Sequence, residues 1–190
     1  MVTGHIRRFT RSGLEMENGQ KIDADIVVTA TGLVMQFLGG ATLSVDGQEI
    51  DPANLLIYKG FMYSNVPNFV YFSGYTNASW TLKVDLVADY ACRLLRFMDA
   101  KGHTQVVPLA DEADLKTVNT ALDFISGYVV RAAHRLPKQG KALPWVHEQD
   151  YFWDRKTLKR GKVDDGTLSF SNGEAVTLPP SQRANGENAS

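Results

Sequence analysis

The chain has 190 residues, 44% of them hydrophobic and 22% charged, with a formal net charge of −1. That length suits one domain or a large piece of a bigger one, and the composition allows a sizeable core. The charge balance argues against nucleic acid or an acidic membrane surface as the main partner, and a lone cysteine, Cys92, excludes an intrachain disulfide and fits a reducing cytoplasm.

The opening residues MVTGHIRRFTRSG have no apolar core of a leader, and no run of 18 apolar residues follows anywhere. The expectation is a cytoplasmic chain without a membrane span. On that reading the two sequons at Asn77 and Asn188 are chance matches. Residues 5–30 read as short strands: HIRRFT, a turn at Arg11-Ser12-Gly13, LEME, then Asn18-Gly19 as a tight-hairpin signal. Next, DADIVVTATG carries the β-branched run Ile26-Val27-Val28 and predicts a strand covered on both faces, as in a parallel sheet.

A second small β-region spans 41–63, where TLSV and QEI flank the two-residue turn Asp46-Gly47. LLIYKGFMY then leads through Asn65, Pro67 and Asn68 into FVYFSG, read as another core strand ending at Gly74. From Ser79 to Asp99 the apolar spacing turns helical and predicts a helix buried on most sides, with Cys92 as an inert buried thiol. Asp85, Asp89 and Arg93 mark its polar stripe, with Asp89–Arg93 as a pair, and Lys101-Gly102 ends it. A second helix is expected between about Leu115 and Leu136, closed by Pro137 and Gly140. WVHEQDYFWDRKTLKR carries no clear pattern, VDDGTLSFSNG reads as a hairpin, and the tail from about Pro179 reads as disordered.

The histidines His5, His103, His134 and His147 have no metal-ligand spacing, so surface or capping roles are expected and no metal site. Ser79 lies in TNASW, which is not a nucleophile elbow. Asp111, Glu112 and Asp114 open a helix, where acids favour the dipole. No catalytic residue is assigned. No G-x-G-x-x-G stands between a strand and a helix, so the chain cannot by itself be a complete dinucleotide-cofactor enzyme by that route. One stretch does invite a ligand. SGYTNASW joins a strand to a helix and turns the N–H groups of Asn77, Ala78 and Ser79 outward. Either Thr76, Asn77 or Ser79 caps the helix, or an anion or electron-rich ring sits there.

DADIVVTATGL followed by GYTNASWTLK resembles the C-terminal part of flavin-dependent monooxygenases of the Baeyer–Villiger type, in their ethionamide-activating branch. The likeness runs from about residue 3 to 155, through SGYVVRAAHRLPKQG. It implies an α/β fold: the C-terminal part of a two-dinucleotide-binding-domain flavoprotein, with an incomplete sheet, β-hairpins and two main helices. It implies that residues 1–32 end the NADPH domain and return to the FAD domain, 33–136 continue the FAD domain, and 137–178 form an extension before the tail 179–190. Thr31, Gly32, Gly74, Tyr75, Thr76, Asn77 and Ala78 are then the cofactor-binding candidates. The implied cofactors are FAD and NADPH, the implied substrate a ketone or sulfur compound taking one oxygen atom from O2. The glycine-rich motifs and the arginine that assists oxygen transfer belong to an N-terminal part not found here, so inactivity alone is expected. A non-catalytic interaction or small-molecule-binding module, and another flavin or pyridine-nucleotide oxidoreductase, stay open as alternatives. Trp80, Trp145, Phe152 and Trp153 read either as core or as an apolar pocket lining.

Overall fold

The computed structural model describes residues 1–116, 119–120 and 126–183. Its contacts divide into two compact units, Met1–Leu33 and Val34–Ser190.

The first unit is a three-stranded antiparallel meander of β1 (Ile6–Thr10), β2 (Gly13–Met16) and β3 (Lys21–Asp23), in that order. Both turns fall where the Arg11-Ser12-Gly13 and Asn18-Gly19 signals put them. Met16 N–H donates to Gln20 O at 2.8 Å and closes the second turn. The strand expected over Asp25–Ala30 does not form. Ile26 and Val28 are 83% and 82% exposed, and no described residue pairs with that stretch. An apolar run becomes a buried strand only when neighbouring strands satisfy its backbone and cover its faces, and both are lacking here.

The second unit is α/β, with two-stranded ladders and short helices around one long helix. β4 (Ser44–Val45) and β5 (Gln48–Glu49) form the expected hairpin across Asp46-Gly47. β6 (Ile57–Tyr58) and β7 (Met62–Tyr63) form a second one. The strand expected over Phe69–Gly74 is absent: the segment joins no ladder, and Tyr71 N–H donates to Phe61 O at 2.7 Å.

Helix α1 (Trp80–Lys101) ends in the left-handed Gly102, as Lys101-Gly102 predicts. It buries Leu86, Val87, Tyr90, Leu94 and Met98 against Leu56, Tyr58, Phe61, Met62, Trp145 and Leu158. Full burial of each aliphatic side chain is worth about 1.5–3 kcal/mol, so this face anchors the helix. Burial on most sides is not realised, since Trp80 and Leu95 are 58% and 61% exposed. Cys92 is exposed, not the buried thiol expected. Asp89 pairs with Lys159 at 3.2 Å, while the Arg93 guanidinium donates to the carbonyls of Leu158, Lys159 and Gly161; the expected Asp89–Arg93 pair gives way to these longer-range partners.

β8 (Gln105–Pro108) follows α1, then α2 (Glu112–Lys116), which Asp111 and Asp114 open by reciprocal hydrogen bonds of 2.8 and 3.2 Å. The single helix expected over 115–136 is replaced by α2, a two-residue β9 (Asn119–Thr120) and α3 (Gly127–Ala132); residues 117–118 and 121–125 lie outside those described. β10 (Lys138–Gln139) pairs with β9. α4 (Tyr151–Asp154) runs into a π-helical turn, Arg155–Lys159. β11 (Leu168–Ser171) pairs antiparallel with β8 and not within a local hairpin, because its apolar residues find a more distant partner. The tail expected to be disordered from Pro179 instead docks as far as Arg183. Gln182 is fully buried and donates to Ser64 Oγ at 2.7 Å, beside the fully buried Leu178; residues 184–190 lie outside those described.

Candidate functional site

The turn that precedes α1 opens on a cleft of about 290 Å³ whose walls include Phe37, Ile57, Tyr63, Tyr71 and Trp80. Polar groups stand among these apolar walls: Gln36, Thr76, His147 and Gln149. The sequence builds the approach with Gly74. A Cβ there would meet the Trp80 Cα at 2.4 Å, so only glycine lets the chain fold back onto the helix start.

None of the expected capping groups caps α1. Its first flanking residue, Ser79, makes no side-chain cap hydrogen bond, and its hydroxyl lies 3.0 Å from Thr81 Oγ1. Thr76 and Asn77 are engaged by Gln149 instead. Gln149 Oε1 accepts from the Thr76 N–H at 3.1 Å and from its hydroxyl at 3.2 Å, and the Asn77 amide donates to Gln149 O at 3.1 Å. Gln149 therefore holds the turn in place while the helix start keeps its partial positive charge.

Behind the turn lies a buried charge cluster. Lys83, in the first turn of α1, is fully buried, and its Nζ donates to Asp154 Oδ2 at 2.7 Å. Tyr75 turns away from the cleft and donates its hydroxyl to the same oxygen at 2.7 Å. Burial lowers the Lys83 pKa, and Asp154 opposes that shift. The Tyr75 phenol is pushed up, by burial first and then by its bond to Asp154.

His147 stands beside this cluster. A side chain at Gly60, whose φ is +82°, would approach the His147 ring to 2.9 Å and the Lys83 ammonium to 3.2 Å. His147 Nδ1 lies 3.2 Å from Gln149 Nε2; an amide nitrogen only donates, so Nδ1 accepts and the neutral ring carries its proton on Nε2. That Nε2 is buried without a partner among the described residues. Burial first, then the Lys83 charge, brings the His147 pKa down to about 4, so the ring is neutral near pH 7. The surface or capping role expected for His147 gives way to a half-buried place in the cleft wall.

Of the predicted cofactor-binding residues, Gly74 and Thr76 line the cleft, Asn77 and Ala78 are exposed beside it, and Tyr75 faces the charge cluster. Thr31 and Gly32 are exposed in the first unit, with Gly32 at φ +85°. Trp80 lines the cleft, Trp145 is core, and Phe152 and Trp153 are exposed. Lys83, Asp154, His147 and Gln149 were not singled out from sequence as a cluster. One signal was available: Lys83 shares its helix face with Val87, Tyr90 and Leu94, which places a charge on the apolar stripe. Among the described residues no group of histidines, cysteines or carboxylates suits a metal ion, and no helix is long and apolar enough to cross a membrane.

The cleft suits a flat, largely apolar group with polar edges. Its walls are aromatic and aliphatic, polar groups stand among them, and an uncapped helix start lies beside it. Nothing in the chain's sequence offers the glycine-rich turn that a pyrophosphate needs.

The chain is 48% identical over 168 residues to the protein named "Probable FAD-binding monooxygenase AlmA" of Acinetobacter baylyi, covering 88% of this chain and 34% of that protein. It is 46% identical over 171 residues to "FAD-containing monooxygenase EthA" of Mycobacterium tuberculosis, covering 90% and 35%. For EthA of Mycolicibacterium smegmatis the identity is 44% over 176 residues, covering 93% and 36%. The chain thus spans about a third of the length of the curated relatives it matches. No family model and no solved structure matches it.

Proposed function

The chain is a homologue of FAD-containing monooxygenases over about nine-tenths of its length, and on that premise we propose that it works as the C-terminal part of such an enzyme. In this reading it completes the FAD domain of a two-dinucleotide-domain flavoprotein that also uses NADPH, inserts one oxygen atom into ketones or sulfur compounds as Baeyer–Villiger enzymes do, and resides in the cytoplasm. The observation that carries the reading is the uncapped start of the 22-residue α1 beside an apolar, ring-sized cleft. The bare strand-like run at Ile26–Val28 supports it too, since such a run suits a sheet completed by further chain.

FAD, when bound, supplies the electron storage and the oxygen activation. The chain's own residues position and tune. The α1 start stabilises negative charge on a reduced ring by roughly 0.3–1 kcal/mol, and more where water is excluded. Gln149 holds Thr76 and Asn77 so that this helix start keeps one orientation. Trp80, Tyr71 and Phe37 give the cleft apolar walls, and His147, neutral near pH 7, adds no competing charge. Gly74, Thr76, Asn77 and Ala78 are the residues proposed to face the ring and Tyr75 to brace them from behind, while Thr31 and Gly32 are proposed as cofactor contacts on the resemblance alone.

The test uses the chain alone and the chain joined to the unmatched two-thirds of a relative such as EthA. The joined protein is expected to retain FAD and to oxidise NADPH in a substrate-dependent way, and the chain alone to do neither. Sustained turnover by the chain alone, or a folded joined protein without flavin, contradicts the proposal. A second reading, a non-catalytic small-molecule-binding module, draws on the two buried apolar clusters of the second unit. It predicts flavin-independent ligand binding by the chain alone.

A further inference from the structure

We propose that the surface around Phe152 and Trp153 docks the chain onto an anionic phospholipid bilayer. The bulk charge of −1 hides a local excess: Arg155, Lys156, Lys159, Arg160 and Lys162 stand within eight residues, with no carboxylate among them. All five are exposed. Next to them, Phe152 is 75% exposed, Leu143 54% and Trp153 36%.

These side chains share one surface. Phe152, Arg155, Lys156 and Arg160 line one shallow depression. Leu143, Pro144, Val146, Trp153 and Lys162 line an adjoining groove of about 390 Å³. The Lys156 ammonium sits 5.8 Å from the centre of the Trp153 ring, so cation and aromatic face the same side.

Most acids near this patch are engaged: Asp165, in the same groove as Lys162, pairs with Lys59 at 2.7 Å, while Glu148 and Asp164 are exposed. Asp154 is buried on Lys83, and Asp150 caps α4 by accepting from the Trp153 N–H at 2.7 Å. Asp89 engages Lys159 alone, as an exposed pair. The fold holds the segment rigidly from beneath: Leu158 is fully buried, and Arg93 satisfies the carbonyls that end the π-helical turn. Apart from Lys159, which Asp89 engages, the cations Arg155, Lys156, Arg160 and Lys162 face outward.

Exposed aromatic side chains at the level of a row of cations match a lipid surface, where rings enter the headgroup boundary and each cation gains attraction to anionic lipid. A protein partner fits less well, because lysine is depleted in protein interfaces and three of the five cations are lysines.

The test is flotation of the full chain with vesicles of phosphatidylcholine alone and of phosphatidylcholine mixed with phosphatidylglycerol. Binding is expected at least about tenfold tighter on the anionic vesicles and to weaken in high salt. K156E/R160E is expected to lower it about tenfold or more, and F152A several-fold, while K101E at the far end of α1 leaves it unchanged. Far-ultraviolet spectra check that the variants stay folded. Equal binding to both vesicle types, or binding insensitive to F152A and to the charge reversal, overturns the proposal. So does loss of binding when the chain is joined to the unmatched part of a relative, which would mean that protein covers this face. The assay contains no flavin, so its outcome is independent of the monooxygenase reading.

Discussion

Glu15 and Asp154 are both nearly buried carboxylates paired with cations, yet they stand in opposite settings. Glu15, in the first unit, accepts from Arg8 at 2.7 and 2.9 Å and lies 3.3 Å from Arg7, and both arginines are 66% exposed. Asp154, in the second unit, meets Lys83, which is fully buried, and a buried phenol. The first pair keeps its cations in water, where Coulomb attraction is weak and screened. The second has no water to fall back on, so each member depends on the others. What separates them is not distance but what remains when one partner is removed.

The sharpest way to break the comparison is Lys83→Met. It leaves a buried carboxylate unpaired and is expected to cost about 3–5 kcal/mol in urea unfolding, whereas the double variant Lys83→Met/Asp154→Leu recovers most of that loss. Equal losses in single and double variants would contradict the account.

His147 sharpens it through pH. Its folded pKa of about 4 lies below the ordinary 6.5, so between those values the unfolded chain takes up a proton that the folded chain refuses. Its contribution to stability is fully present above pH 6.5, declines as pH falls, and levels off below 4 at a loss of about 3 kcal/mol. Thermal midpoints measured across this window in the parent and in His147→Phe should differ in slope, the variant being flatter.

Gly74→Ala is expected to cost about 1–3 kcal/mol, because the added methyl must displace the start of α1. It should also disturb the turn held by Gln149, visible as faster amide exchange at Thr76. The smallest effect belongs to the exposed pair: Arg8→Ala should leave the unfolding midpoint nearly unchanged at neutral pH and in moderate salt.

Sequence made the local features legible. The hairpins at Asp46-Gly47 and Asn18-Gly19 and the whole of α1 are written in neighbouring residues, and they form. The two expected core strands were not decided locally. Asp25–Ala30 and Phe69–Gly74 have strand composition, but a strand forms only where a neighbour satisfies its backbone along its length, and no described segment pairs with either as a ladder. Of the candidate site, the turn Gly74–Ala78 was readable from its glycine, hydroxyls and amide. Its support was not: Asp154 lies 71 residues from Lys83, and Gln149 lies 73 from Thr76. Nor does periodicity reveal that Cys92 faces outward on a helix whose apolar residues exceed what its neighbours cover.

The most direct measurement of the central claim is the reduction potential of the flavin in the joined protein, with Ser79→Asp compared with Ser79→Asn. A carboxylate at the α1 start opposes the helix charge that favours a reduced, anionic ring. The account therefore predicts a more negative potential for Ser79→Asp, by on the order of 10–20 mV, and no change for Ser79→Asn. Equal potentials in both variants would mean that α1 does not face the flavin.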